Sequence, residues 1–106
     1  MALKLLTKTV TAAGTPEAFS STSLRVLEFH VQVQDDNTGD MAIGDSTVDL
    51  SAHKGLVLQD PATDITISIL SFASIDYREP FDLKEWYVDS AVNGDGINIL
   101  YLEAVP

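Results

Sequence analysis

The chain contains no cysteine. That absence removes disulfides, thiolate zinc sites, iron–sulfur clusters and cysteine nucleophiles together, so stability has to come from packing or from association with other chains. Positive charge is scarce too: 6 Lys and Arg stand against 16 Asp and Glu in 106 residues, a formal net charge of -10. The resulting negative potential opposes docking on phosphate backbones and on anionic lipid, which argues against nucleic acid and membrane as partners. Histidine occurs only at His30 and His53, and nothing in their spacing suggests a shared metal, so no metal or cofactor is expected. Long apolar runs are missing: Met1 to Leu6 is interrupted by Lys4 and followed by Lys8, too short for a signal segment or a membrane span. The expectation is a soluble protein without an export signal. Helical periodicity is missing as well. Its best candidate, Asp76 to Glu85, has Pro80 in its middle, which leaves a loop or a single turn.

What is present is period two. From Leu27 to Gln34, Leu27, Phe29, Val31 and Val33 alternate with Glu28, His30, Gln32 and Gln34, the signature of a half-buried strand. Leu24 and Val26 fall on the opposite parity; either the strand begins buried on both faces or a bulge near Leu27 changes the facing. Asp64 to Ser71 alternates in the same way. Leu3 to Ala13 reads as a strand ended by Gly14-Thr15-Pro16, and Met41 to Ile43, Thr47 to Leu50 and Gly55 to Gln59 read as short strands. Trp86 to Val92 and Ile97 to Val105, joined by Asn93-Gly94-Asp95-Gly96, read as a terminal hairpin. Turn signals recur about every 8 to 12 residues, the spacing of short antiparallel strands. The fold class expected is all-β, an antiparallel β-sandwich or jelly-roll-like barrel, as one domain spanning residues 1–106.

Three strings carry chemistry. Gly44-Asp45-Ser46 after a strand matches the nucleophile block of SGNH-type hydrolases, where a serine needs a histidine as base and a carboxylate to orient it. Those enzymes carry Asp-x-x-His near the C-terminus, and here no histidine follows His53. A turn in which Gly supplies an unusual φ and Asp and Ser cap amides is the reading instead, and no catalytic residue is assigned. Asp35 to Asp40 suggests a calcium loop, but Gly39 falls at the fifth position and Asp40 at the sixth, so the EF-hand register fails; an irregular site would have to draw on Asp95. Finally, Phe72 to Phe81 holds Phe72, Ile75, Tyr77 and Phe81. A loop that apolar calls for a cover, from its own domain or a neighbouring chain. With Trp86, Tyr87 and Tyr101 these rings fit either a core or a sugar platform.

Read in order, Gly14-Thr15-Pro16, Ser23 to Val26, Asn37-Thr38-Gly39, Ile43 to Ser46, Gly55 to Leu58 with Pro61, Ile65 to Ile69, Asp82-Leu83 with Tyr87-Val88-Asp89, and Gly94 to Gly96 with Tyr101-Leu102 resemble the small virion proteins of tailed bacteriophages. The resemblance covers about residues 5 to 103 and departs at Phe72 to Phe81, which is longer and more aromatic. It implies a capsid decoration (cement) protein or a related head or tail accessory protein, a β-sandwich acting as a homotrimer. The location implied is the capsid exterior of a virion assembled in the host cytoplasm, and the partner is the major capsid protein. Contacts would then fall to Phe72, Tyr77, Arg78 and Phe81, with Lys4 and Lys8 as cations able to meet capsid carboxylates. A receptor- or glycan-binding module of a head or tail fibre is the alternative.

Overall fold

A computed structural model describes residues 2–58, 69–74 and 78–104. Tyr77, and most of the strand expected from Asp64 to Ser71, lie outside the described residues, as do Gln59, Ile75 and the Pro61 turn. Strands form as β1 (Ala2–Thr9), β2 (Glu17–Ala18), β3 (Arg25–Val33), β4 (Met41–Gly44), β5 (Leu56–Leu58), β6 (Ile69–Ala73), β7 (Phe81–Asp82), β8 (Tyr87–Ser90) and β9 (Gly96–Glu103). One sheet has the order β1-β9-β3-β6, with β7 also paired to β3, and the other has the order β2-β8-β4-β5. All described pairings are antiparallel, and the two sheets pack as a sandwich, as the periodicity predicts. No helix among the described residues is long and apolar enough to cross a membrane.

The core sits where the alternation places it. Phe29, Val31 and Val33 of β3 and Ile97, Ile99 and Tyr101 of β9 face Met41 and Ile43 of β4 and Val88 of β8, all buried. Between Val26 and Glu28 the register of β3 against β9 slips by one. That is the bulge foreseen at Leu27, and it lets Val26 and Phe29 both turn inward. Around Phe29 the end of the sandwich is aromatic: Trp86 lies 4.7 Å away, Phe72 5.0 Å and Phe81 5.5 Å, between ring centroids.

Two expected elements differ. β8 and β9 do not form a hairpin, because they belong to different sheets. The turn between them carries the chain across the sandwich: Gly94, at φ +91, donates to the Val10 carbonyl while the Val10 amide donates to the Asp95 carbonyl. The buried Asp95 carboxylate accepts the amides of Thr38 and Gly39 at 3.0 to 3.2 Å. These long-range bonds outweigh the local turn chemistry that favours a hairpin. Residues Thr47 to Leu50 are likewise not a strand but part of a double turn between β4 and β5, closed by the Asp49 to Lys54 bridge. Asp45 and Asp49 each accept the amide two residues on, giving the backbone an alternative to a ladder. The unusual φ in this turn belongs to His53 (+59) and Gly55 (+128), not to Gly44. At Gly55 a Cβ would meet Val48 Cγ2 at 2.7 Å and the Ile43 carbonyl oxygen at 2.9 Å.

The Asp95 carboxylate generates a test. Asp95→Ala strands the Thr38 and Gly39 amides, and urea unfolding should show a loss of about 1 to 3 kcal/mol. Replacement of the exposed Asp36 by Ala should stay within about 0.5 kcal/mol. Equal effects of the two substitutions would contradict the role given to Asp95.

Candidate interaction surface

The sequence-derived contact residues are largely committed inside the chain. Lys4 Nζ lies 2.6 Å from Glu103 and Lys8 Nζ 2.9 Å from Glu17, and the hydrogen bond that Lys4 donates to Glu103 raises the Lys4 pKa. Phe72 lies in β6 and Phe81 opens β7, both half-buried against Phe29 and Trp86, so these two rings are covered within the chain. Arg78 is exposed in the turn before Pro80. A single 3-10 turn, Leu83–Glu85, follows, in keeping with the pre-proline argument. Phe19, Phe29, Phe72 and Phe81 surround Trp86 at 4.7 to 6.3 Å, so its ring packs against the aromatic end of the core.

The chemistry-bearing strings resolve into structure. Ser46 is exposed in its turn, and Asp45 accepts from the Thr47 hydroxyl at 2.5 Å and the Thr47 amide at 2.9 Å. These bonds hold its carboxyl below the ordinary range. An open cleft of about 440 Å³ beside it is lined by Ile43, Asp45, Thr47, Lys54 and Trp86, among others. The Asp35 to Asp40 loop is anchored by the buried Asn37, which exchanges hydrogen bonds with Gly96, and Asp95 is engaged by amides. Among the described residues no group of three or more His, Asp or Glu is arranged to hold a metal ion.

One arrangement escaped the sequence. His30 bridges Ser71, at 2.8 Å from Nδ1, and Glu28, at 2.9 Å from Nε2. A serine, a histidine and a carboxylate in sequence suggest acyl transfer, but that reaction also needs donors aimed at the oxyanion and a pocket for substrate. These three residues lie on the outer face of a sheet, with the histidine's own strand paired on both sides. The group is a polar chain across β3 and β6.

The feature that stands apart lies beside it. Directly opposite residues share a face, and the registers set Leu3 against Leu102 and Leu5 against Leu100. Leu100 in turn opposes His30, and Leu102 opposes Glu28. Four leucines therefore occupy the outer face at the β1 side of the sheet, Leu3 at 68%, Leu5 at 65% and Leu100 at 40% exposure. On the opposite face of β1 stand Lys4 and Lys8, opposite Tyr101 and Ile97. The usual assignment is thus inverted: the leucines point to solvent and the lysines towards the rim of the sandwich. The alternation Leu3-Lys4-Leu5 was available in the sequence, but its facing depends on the register with β9.

Compared with protein-family models and with curated proteins, the chain matches none. The family resemblance stands on the residues quoted for it.

The carboxylates yield a pH prediction. Asp82 is held below its ordinary pKa by the Ser23 hydroxyl first, against the opposing effect of burial, with the Leu24 and Lys84 amides adding to it. Glu17 is lowered too: burial pulls it up, but the Ala12 amide, Lys8 and the Thr11 amide outweigh that. A carboxyl with a depressed folded pKa binds its proton more readily in the unfolded chain. Its stabilisation is full above the unfolded value, about 4, and is lost as pH falls through the folded one. Urea midpoints should therefore fall between about pH 5 and 2, less steeply in Asp82→Asn. A flat profile would contradict the assignment.

Proposed function

We propose that the chain is a non-enzymatic structural protein of a phage virion, a decoration protein bound to the outside of the head that stabilises its shell. The observation that carries this reading is the four-leucine face. The sandwich completes its own core, from Val10 to Tyr101, and yet leaves Leu3, Leu5 and Leu100 exposed together on one outer sheet face. Scattered exposed leucines need no explanation, but a contiguous group marks a contact site. An apolar patch of this kind suits another protein surface. The order of motifs across the chain supports the phage context, and the major capsid protein is the partner it implies.

In this reading the work is burial of surface, repeated at many copies, so that a modest gain per copy adds up over a shell. The lysines contribute little to it, because Lys4 and Lys8 already meet Glu103 and Glu17. Binding is then apolar in character and only weakly screened by salt.

The test is to mix the protein with undecorated, expanded capsids and follow sedimentation and thermal rupture. Saturable binding at fixed stoichiometry and a higher rupture temperature are expected. Leu100→Glu should weaken binding at least tenfold, while Ser46→Ala should leave it unchanged. Binding to fibres or glycans in place of capsids would move the chain to a receptor-binding role.

A further inference from the structure

The leucine face ends at an open edge. β1 is the last strand of its sheet and pairs only with β9 among the described residues, so alternate amides and carbonyls along its eight residues point away from the sheet without a ladder partner. An edge this long and apolar is a template for another strand, and proteins ordinarily blunt such edges with lysines, inward-pointing charges, prolines or bulges. Of these β1 has only its two lysines, on its inward face, and their charge is compensated within the chain. It has no proline, its register with β9 runs unbroken from Ala2 to Thr9, and both lysines are drawn into ion pairs with the chain's own Glu103 and Glu17.

We infer that the β1 edge pairs with the β1 edge of a second copy, antiparallel about a two-fold axis centred on Leu5, to join the two β1-containing sheets into one. Charge selects the partner. In a chain of net charge -10, residues 1 to 16 contain no Asp or Glu, and the carboxylates of Glu17 and Glu103 that reach this strand are neutralised by its lysines. Two such edges meet without opposing carboxylates, which is not true of an approach through most other parts of so acidic a surface.

Charge and parity also select the register. Antiparallel pairing about a two-fold axis normal to the sheet sets residues of equal parity opposite each other, so a single residue faces its own copy. Centring on Lys4 places Lys4 against Lys4 of the other copy, and centring on Leu6 places Lys4 against Lys8; like charges directly opposite are unfavourable. Centring on Leu3 or Thr7 keeps the lysines apart but leaves much of the strand unpaired, whereas centring on Leu5 pairs Ala2 through Lys8, setting Lys4 against Leu6 and Lys8 against Ala2. In that register Leu100, Leu5 and their two counterparts form one continuous row of four leucines across the joined sheet. The pairing closes at two copies, in contrast to the three-fold assembly that the family resemblance implies. It goes beyond the shell-binding reading and does not depend on it.

The absence of cysteine makes the test clean. Opposed residues in an antiparallel pair have Cα atoms about 4.5 to 5.5 Å apart, within the range a disulfide spans. Leu5→Cys, at a solvent-facing position that folding should tolerate, is expected to oxidise to a covalent dimer under air. Leu3→Cys and Thr7→Cys are expected to stay uncrosslinked alone and to bridge each other when mixed, because Leu3 faces Thr7 across the axis. Sedimentation of the unmodified protein should give a dimer mass at micromolar concentration. A monomer or trimer mass, or crosslinking of Leu3→Cys with itself in preference to Leu5→Cys, overturns the pairing. Capsid binding by the unmodified protein, whose leucine face is intact, separates the two readings: protein that binds shells while Leu5→Cys does not crosslink sinks the edge pairing alone, and an unmodified dimer indifferent to shells sinks the decoration role alone.

Discussion

A chain that changes sheet at most of its connections has to hold its crossings in place, and in this molecule two buried carboxylates do much of that work. Asp89 on β8 is 1% exposed and accepts the amides of Gly14, Leu50 and Ser90 at 2.8 to 2.9 Å. It ties the turn after β1 and the turn after β4 to the same strand. Asp95, at the end of the next crossing, does the same for the loop between β3 and β4. A buried carboxylate is costly unless amides satisfy it, and the amides of tight turns are donors in need of acceptors, so each requirement meets the other. Remove these two groups and the sheets still have an apolar interface, but three loops lose their fixed points.

The strand pattern was legible because it depends on near neighbours. Alternation in β3 located its core face, and the parity change at Val26 located the bulge, since each follows from the two-residue repeat of an extended chain. The hairpin expected from β8 and β9 failed for a non-local reason. Asn93-Gly94-Asp95-Gly96 has good hairpin chemistry, but Asp95 and Gly94 find their partners in Thr38, Gly39 and Val10, more than fifty residues away in sequence. No local rule records such competition. At Thr47 to Leu50 local rules suffice: two aspartates four residues apart, each able to accept from the amide two positions on, favour consecutive turns over a strand.

The interaction surface was less legible than the fold for a related reason. Scarce cations and loop aromatics are conspicuous in an acidic sequence, and they suggested contact residues. In the folded chain the same scarcity leads Lys4 and Lys8 to their nearest carboxylates, and the same hydrophobicity draws Phe72 and Phe81 onto Phe29 and Trp86. The residues left outside include the leucine set, which looked ordinary in sequence. A Leu-Lys-Leu alternation at an edge reads by default as leucine inward. Pairing with β9 reverses it, because Tyr101 and Ile99 are the inward residues of that strand and they fall opposite Lys4 and Leu6.

In the edge pairing inferred above, the lysines have a role within the chain itself. Each neutralises an acidic side chain near the β1 edge, which lowers the repulsion between copies of a chain this negative. Each also remains a positive centre that tolerates an apolar residue across a strand pair better than a second lysine. An edge of leucine and threonine alone would accept several registers with little to choose between them, and edges of that kind slip and aggregate. Lysines at positions four residues apart, either side of Leu6, penalise the registers centred on Lys4 and on Leu6 while leaving the one centred on Leu5. The same two charges thus make the edge approachable and limit how it is approached.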